Sequence, residues 1–316
     1  MSFILFFIGL VILIKGADLL VDGASSIAKK LKISSLVIGL TVVAFGTSAP
    51  ELIVNIIASF QGNADIAIGN VLGSNISNIL LILGITAIIF PLAVTKGTVW
   101  KEIPLSLLAV FVLFFLANDA LIDKAAFSAI SRIDGFILLS FFLIFIIYTI
   151  GIARTGENND VSAKKLSQRK AILFVIVGLA GLTLGGKWVV DGAVAIATIF
   201  GVSQSLIALT IVAVGTSLPE LVTSAVAAYK KQADIAVGNI VGSNIFNVFW
   251  ILGLSSVIKP LPFKVANDMD IFVNILASAL LFIFLFIGKK RVLERWQGIL
   301  FVLLYAAYLT YLIIQG

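Results

Sequence analysis

No cysteine and no histidine occur among the 316 residues of this chain, and only 12% of them are charged. Without cysteine there is no disulfide, no thiolate nucleophile and no thiolate metal site. Without histidine there is no imidazole ligand and no histidine proton relay. Nothing resembles a nucleophile–base pair or a nucleotide-binding loop, so the sequence reads as no enzyme and requires no cofactor. The scarcity of charge also rules out a water-facing surface. Soluble domains carry about 25% charged residues, whereas here 60% of residues are hydrophobic and the mean hydropathy is +1.17. The net charge of +6 implies no nucleic-acid partner, because the basic residues sit in short loops between apolar runs. The apolar start, residues 1–14, lacks a basic leader and an evident cleavage site, so the first span is expected to stay in the mature protein.

What is present is a series of apolar runs, each long enough to cross a hydrocarbon layer ~30 Å thick. They predict spans at 2–28, 33–59, 64–90, 100–118, 133–152, 170–199, 202–228, 233–257, 268–288 and 296–315. The expected fold is all-α and integral to the membrane: ten transmembrane helices in two inverted five-helix repeats. These occupy 1–153 and 170–316, joined by a polar cytoplasmic linker over 154–169. An odd number of spans per half makes the second half enter the bilayer upside down, the plan of many secondary transporters. With both termini outside, the inner loops and linker hold 16 of the 22 basic residues and the outer loops only 4 (Lys124, Arg132, Lys259 and Lys264). This asymmetry sets a multi-pass orientation in the cell membrane, with the lipid bilayer as the chain's surroundings.

The halves are also alike in sequence. Residues 9–92 and 178–261 align without a gap at a constant offset of 169, about half of the pairs being identical. Within the repeat, Gly46-Thr47-Ser48-Ala49-Pro50-Glu51 matches Gly215-Thr216-Ser217-Leu218-Pro219-Glu220. Each segment places a carboxylate in the middle of an apolar span, which costs about 2.5–3.5 kcal/mol even on the gentlest scale. No Lys or Arg in the same segment offers a pair. Pro50 lacks an N–H and leaves the Gly46 carbonyl without its helical donor, so a kink or break is expected. Such a break would turn backbone oxygens of Ala44 to Thr47 toward a cavity, with Ala213 to Thr216 in the mirrored place. Carboxylates, hydroxyls and freed carbonyls are the oxygen ligands that Ca²⁺ or Na⁺ requires.

A second layer follows in Gly69-Asn70-Val71-Leu72-Gly73-Ser74-Asn75 through Asn78, and in its counterpart from Gly238-Asn239 through Ser243-Asn244 to Asn247. Ser74 and Asn78 share a helix face, as do Ser243 and Asn247, and read as ion ligands. Asn70, Asn75, Asn239 and Asn244 read as bonds to neighbouring helices, and the paired glycines as points of close approach. Lys15 and Asp18 can pair along the first span, while Asp22 and Asp191 read as caps or interfacial anchors. Phe141-Phe142 and the run Phe282 to Phe286 read as lipid-facing bulk.

These GTSAPE and GTSLPE segments, followed by GNVLGSNISN and GNIVGSNIFN, resemble the two alpha-repeats of the cation/calcium antiporter superfamily. Within it the chain is most similar to the sodium/calcium exchanger family, especially its short prokaryotic members. The resemblance implies an ion site between spans two, three, seven and eight, and motion of spans one and six during alternating access. A divalent site would use Glu51 and Glu220 with the carbonyls of Thr47 and Thr216. Sodium sites would add the Ala44 carbonyl, Ser48 and Ser74 on one side, and the Ala213 carbonyl, Ser217 and Ser243 on the other. Asn78 and Asn247 would line the middle. Some relatives have Asp where this chain has Asn247, which leaves two central carboxylates and weakens the case for potassium co-transport. The long regulatory insertion of animal exchangers is missing. The implied function is Na⁺/Ca²⁺ antiport. The alternatives are an H⁺/Ca²⁺ antiporter on the same scaffold and a passive cation channel.

Overall fold

The computed structural model describes residues 2–122, 124–155, 166–201 and 213–315. In chain order the principal helices are α1 (Ser2–Leu31), α2 (Ser35–Thr47), α3 (Ala49–Gln61), α4 (Ala64–Ile89), α5 (Thr98–Ala117) and α6 (Arg132–Ala153). They continue with α7 (Gln168–Ile199), α8 (Leu218–Tyr229), α9 (Ala233–Ile258), α10 (Val265–Phe284) and α11 (Arg295–Ile314). Among the described residues, eight helices are long and apolar enough to span a membrane, and α2 with α3 form a further, bent pair. The span expected over 202–228 begins outside the described residues. Its described part is a turn of helix at Ala213–Gly215 followed by α8. Most of the linker expected at 154–169 likewise lies outside them.

Local chemistry sets the ends. Ser34, Asn63 and Ser167 accept backbone N–H groups that open α2, α4 and α7. Gly62, at φ 75°, closes α3 in the left-handed conformation that glycine adopts without a Cβ clash. Inside α2, α4 and α9 the helix widens to π geometry, at Gly39–Val43, Ser77–Leu83 and Phe246–Leu252. The last two match at the repeat offset, and single π turns inside helices frequently mark functional sites.

α1 and α7 run antiparallel in backbone contact along a glycine seam. A Cβ on Gly16 would lie 2.8 Å from the Leu182 nitrogen, and one on Gly185 would lie 2.6 Å from the Leu13 nitrogen. Lipid gives no hydrophobic drive for two helices to associate, so this close van der Waals fit holds the pair. The same device joins α9 to α2, where Gly238 and Gly242 face the carbonyls of Leu36 and Leu40. The residues that would face Gly69 and Gly73 by the same offset lie outside the described set.

Short ladders tie the loops together. β1 (Leu92–Ala93) pairs antiparallel with β4 (Val292–Leu293), and β2 (Ser128–Ile130) with β3 (Leu261–Phe263). Lys264 pairs with Asp65 at 2.6 Å. In the C-terminal half of α1, Lys230 reaches both Asp18 and Asp22 at 2.6 Å. Asp18 and Asp22 therefore join the α1 helix to the end of α8, a contact that spacing along α1 does not predict. This clamp has no mate in the other half, since Gln61 aligns with Lys230 and Lys187 with Asp18.

One expectation is corrected. Phe141 stacks on Phe249 at 5.3 Å, and Phe142 packs against Phe246 and Trp250 at 4.9 Å each. Phe284 is buried and stacks on Phe301 at 5.3 Å. These rings are packing between helices, not simply lipid-facing bulk, because an edge or face contact between rings adds to the burial itself.

The glycine seam makes a sharp prediction. Gly185→Ala should lower the melting temperature in detergent, because overpacking against backbone costs about 1–3 kcal/mol. Gly186→Ala, whose Cβ would meet its nearest atom at 3.8 Å, should not. Equal melting curves for the two variants would contradict the seam.

Candidate functional site

The break between α2 and α3 is where the site begins. Ser48 sits at φ −81°, ψ 7°, and Ser217 before α8 at φ −86°, ψ 5°, in the sparsely allowed bridge region. Pro50 and Pro219 follow as second residues of the next helix, where a missing N–H costs nothing. Each proline thus starts a helix, and the axis turns by 47° at the first break. Glu51 and Glu220 fall in the first turn of α3 and α8, where unbonded N–H groups favour negative charge.

Both carboxylates are 1% exposed and each feels the other half of the chain. Ser48 donates to Glu220 Oε1 at 3.0 Å, and Ser217, its repeat mate, donates to Glu51 Oε1 at 3.4 Å. Ser74 on α4 reaches the same Glu51 oxygen at 3.4 Å, and the Ser217 and Ser74 hydroxyl oxygens lie 3.3 Å apart. Thr47 bonds to Asn239 at 3.0 Å and to the Ala44 carbonyl at 3.3 Å. That carbonyl also accepts the Ser48 N–H at 3.0 Å, so it is engaged within its own turn. Ala213 and Thr216 stand at the mirrored turn before Ser217. Neither glutamate has a basic partner among the described residues, whose ion pairs lie elsewhere.

The amides expected to bond neighbouring helices do so with a pattern that spacing alone did not reveal. Asn70 donates to the Glu51 carbonyl at 3.3 Å and Asn239 to the Glu220 carbonyl at 3.5 Å. Each grips the backbone that carries a carboxylate. Asn55, which the sequence reading passed over, accepts from Asn70 at 2.6 Å and donates to the Ala67 carbonyl at 2.9 Å. Its place one turn after Glu51, on the same helix face, was the available signal. Asn78 and Asn247 are buried on α4 and α9, each in a π turn.

Among the described residues, six buried oxygens of the expected ligands form no well-aligned hydrogen bond: Glu51 Oε2, Glu220 Oε2, Asn78 Oδ1, Asn247 Oδ1, Thr216 Oγ1 and Ser243 Oγ. Buried polar atoms are otherwise almost always bonded. The set holds carboxylate, amide and hydroxyl oxygens and no nitrogen or sulfur ligand, which suits hard cations with six to eight oxygen ligands. Among the described residues no group of three or more His, Cys, Asp or Glu side chains exists, so the negative charge of the site is limited to the two glutamates.

Comparison with known proteins agrees with this chemistry. The family described as sodium/calcium exchanger protein matches residues 1–151 and 170–314. A sodium/calcium exchanger of Methanosarcina acetivorans, MaX1, is 35% identical over 98% of each chain. An uncharacterised membrane protein of Methanocaldococcus jannaschii, MJ0091, is 39% identical over 95% of this chain and 94% of its own. The solved structure of the sodium-calcium exchanger NCX_Mj without Na⁺ and Ca²⁺ superposes with a TM-score of 0.84 at 36% identity, covering 98% of each chain.

Unpartnered buried oxygens predict a site that is unstable when empty. Ca²⁺ at 100 times its dissociation constant should stabilise the parent by about 2.7 kcal/mol. Without Ca²⁺, Glu51→Gln and Glu220→Gln should melt above the parent, and adding the ion should help them little. Scanning fluorimetry in detergent measures both effects. A parent melting temperature indifferent to Ca²⁺ would contradict the reading of these oxygens.

Proposed function

The chain belongs to the sodium/calcium exchanger protein family, and on that premise we propose that it is an electrogenic antiporter exchanging Na⁺ for Ca²⁺ by alternating access. The observation that carries this reading is the pair of buried glutamates, without a basic partner among the described residues, linked crosswise by Ser48 and Ser217. Glu51 and Glu220 bind Ca²⁺ directly, with the carbonyls of Thr47 and Thr216. The same charges serve Na⁺ with Ser48, Ser74 and the Ala44 carbonyl, once the Thr47 hydroxyl releases it, in one half, and with Ser217, Ser243 and the Ala213 carbonyl in the other. Asn78 and Asn247 supply oxygen in the middle.

Charge explains why exchange is favoured over leak. Two ionised glutamates with one Ca²⁺ form a neutral centre, and with three Na⁺ they carry one net positive charge. An empty centre keeps two negative charges, which are costly to carry through the occluded state in a low-dielectric slab. Return without a counter-ion is thereby opposed, and a passive channel would need no such balance. The hydroxyls that crowd the glutamates favour Na⁺ over H⁺ as the counter-ion, since protonation alone needs no such ligands.

The ten-span, inverted arrangement has support of its own. β2 and β3 lie side by side, so the chain between them crosses the bilayer an even number of times. α6, α7 and α9 account for three crossings, and the span expected over 202–228 would supply the fourth. The β1–β4 ladder and the Lys230–Asp22 pair obey the same parity. The glycine-bound α1–α7 pair is the body that moves, with the Lys230 clamp in the C-terminal half of α1.

Two experiments test this reading. In proteoliposomes with equal Na⁺ and Ca²⁺ on both sides, an imposed voltage alone should drive Ca²⁺ flux, because about 2.3 kcal/mol is available per charge per 100 mV. Glu51→Gln and Glu220→Gln should each lose transport, and Asn247→Asp should make it more pH-dependent by adding a titratable group. Flux that needs a proton gradient and ignores Na⁺ and voltage would establish the H⁺/Ca²⁺ alternative instead. The chain's lack of cysteine makes topology equally direct. Lys290→Cys should label from the cytoplasm and Lys124→Cys from outside, and labelling from one side would remove the ten-span plan.

A further inference from the structure

Four buried asparagines join α4 to α9 in a closed set of hydrogen bonds. Asn78 Nδ2 donates to Asn244 Oδ1 at 2.9 Å, and its repeat mate Asn247 Nδ2 donates to Asn75 Oδ1 at 2.9 Å. Asn75 Nδ2 donates to the Asn244 carbonyl at 3.3 Å, and Asn244 Nδ2 to the Asn75 carbonyl at 3.5 Å. Every bond in the set crosses from one repeat to the other, and each has its counterpart at the offset of 169.

The two ends of an asparagine amide are nearly equal in shape and opposite in polarity. One accepts hydrogen bonds and the other donates two. Beside a cation only the oxygen end is useful, and a half-turn about the last torsion would present N–H groups to a positive charge. The side chains of Asn78 and Asn247 can therefore be right in place and still wrong in direction. Asn75 and Asn244 settle the direction. Their own NH₂ groups are committed to backbone carbonyls, so they offer only oxygen to the amide opposite. Asn78 and Asn247 must then turn their NH₂ groups toward that oxygen, which leaves Asn78 Oδ1 and Asn247 Oδ1 buried and without a partner among the described residues.

We propose that Asn75 and Asn244 are positioning residues that hold the oxygen ends of Asn247 and Asn78 toward the ions, each acting on the opposite repeat. This rests on the ion-site reading of Glu51 and Glu220 and adds to it a cause for ligand orientation. It also makes each half-site depend on the other repeat, so the middle of the site is complete only when α4 and α9 are together.

A purely adhesive quartet and a positioning one differ in a measurable way. Equilibrium binding of ⁴⁵Ca²⁺ to the purified full chain is compared in two backgrounds, with folding checked by gel filtration. In the parent, Asn244→Leu frees the Asn78 amide to turn and should raise the half-saturating Ca²⁺ concentration at least about tenfold, the equivalent of one lost polar contact. In the Asn78→Asp background the residue carries oxygen at both ends and has no wrong direction. There Asn244→Leu should change half-saturation less than about twofold, the effect on orientation being absent. Asn75→Leu tested with Asn247→Asp gives the mirror comparison and serves if the first variant does not fold. Asn244→Ser, which keeps an oxygen but no fixed direction, serves if both leucine variants fail. Equal shifts in the two backgrounds, or no shift in the parent, would overturn the proposal while leaving the ion site intact. Unchanged binding in Glu51→Gln would overturn the ion-site reading itself, and this inference with it.

Discussion

Two carboxylates stand in an apolar slab without a basic partner among the described residues, and most of the interior can be understood as the means of keeping them there. The cost of such a charge is partly met by position, because Glu51 and Glu220 each occupy a helix's first turn with its unbonded N–H groups. It is partly met by hydroxyls that arrive from the opposite repeat, Ser48 at Glu220 and Ser217 at Glu51. The remainder is left unmet, in the form of buried oxygens that form no well-aligned hydrogen bond among the described residues. A protein selected for stability alone would pair or remove these groups. In the proposed cycle the cargo ions complete them, so affinity and coupling arise from the same deficit.

That deficit needs a scaffold that does not relax to remove it. α9 is held to α2 by Gly238 and Gly242, and its side chains are almost wholly buried. Asn70 and Asn239 hold the backbone of each glutamate rather than its side chain, which fixes position without neutralising charge. The α1–α7 pair is built differently. It is tightly bound to itself along its glycines and broadly exposed on its outer face, at Ile4, Val11, Ile172 and Ile176. A stiff pair with a greasy outer face can slide as one body against a polar core in the proposed exchange. The Lys230 clamp holds the C-terminal half of α1 and has no counterpart at the equivalent place in the other half, an asymmetry that would make the two end states of such a motion unequal in energy.

Much of this was readable from the chain because the signals are local or repeated. An acid beside a proline inside an apolar run is costly wherever it occurs, and its recurrence at a fixed offset marked both halves of the candidate site. Span ends followed from the lengths of apolar runs and agree with the helices to within a few residues where these are described. What escaped was long-range. No spacing rule links Asp22 to Lys230, 208 residues away, because helix periodicity reports only neighbours three or four positions apart. Nor does sequence reveal which end of an amide faces which neighbour, as at Asn75 and Asn244. The π turns at Ser77–Leu83 and Phe246–Leu252 carry no compositional mark. The phenylalanines near Phe249 and Phe301 look the same in sequence whether they meet lipid or another ring.

The central claim is that one pair of glutamates serves both cargoes in turn, so Ca²⁺ and Na⁺ must exclude one another at equilibrium. Displacement of bound ⁴⁵Ca²⁺ by increasing Na⁺ at constant pH and ionic strength tests this without any transport step. The account predicts complete displacement by Na⁺ with a Hill slope above one, and little displacement by K⁺. Bound Ca²⁺ that persists at saturating Na⁺, or that K⁺ removes equally well, would contradict it.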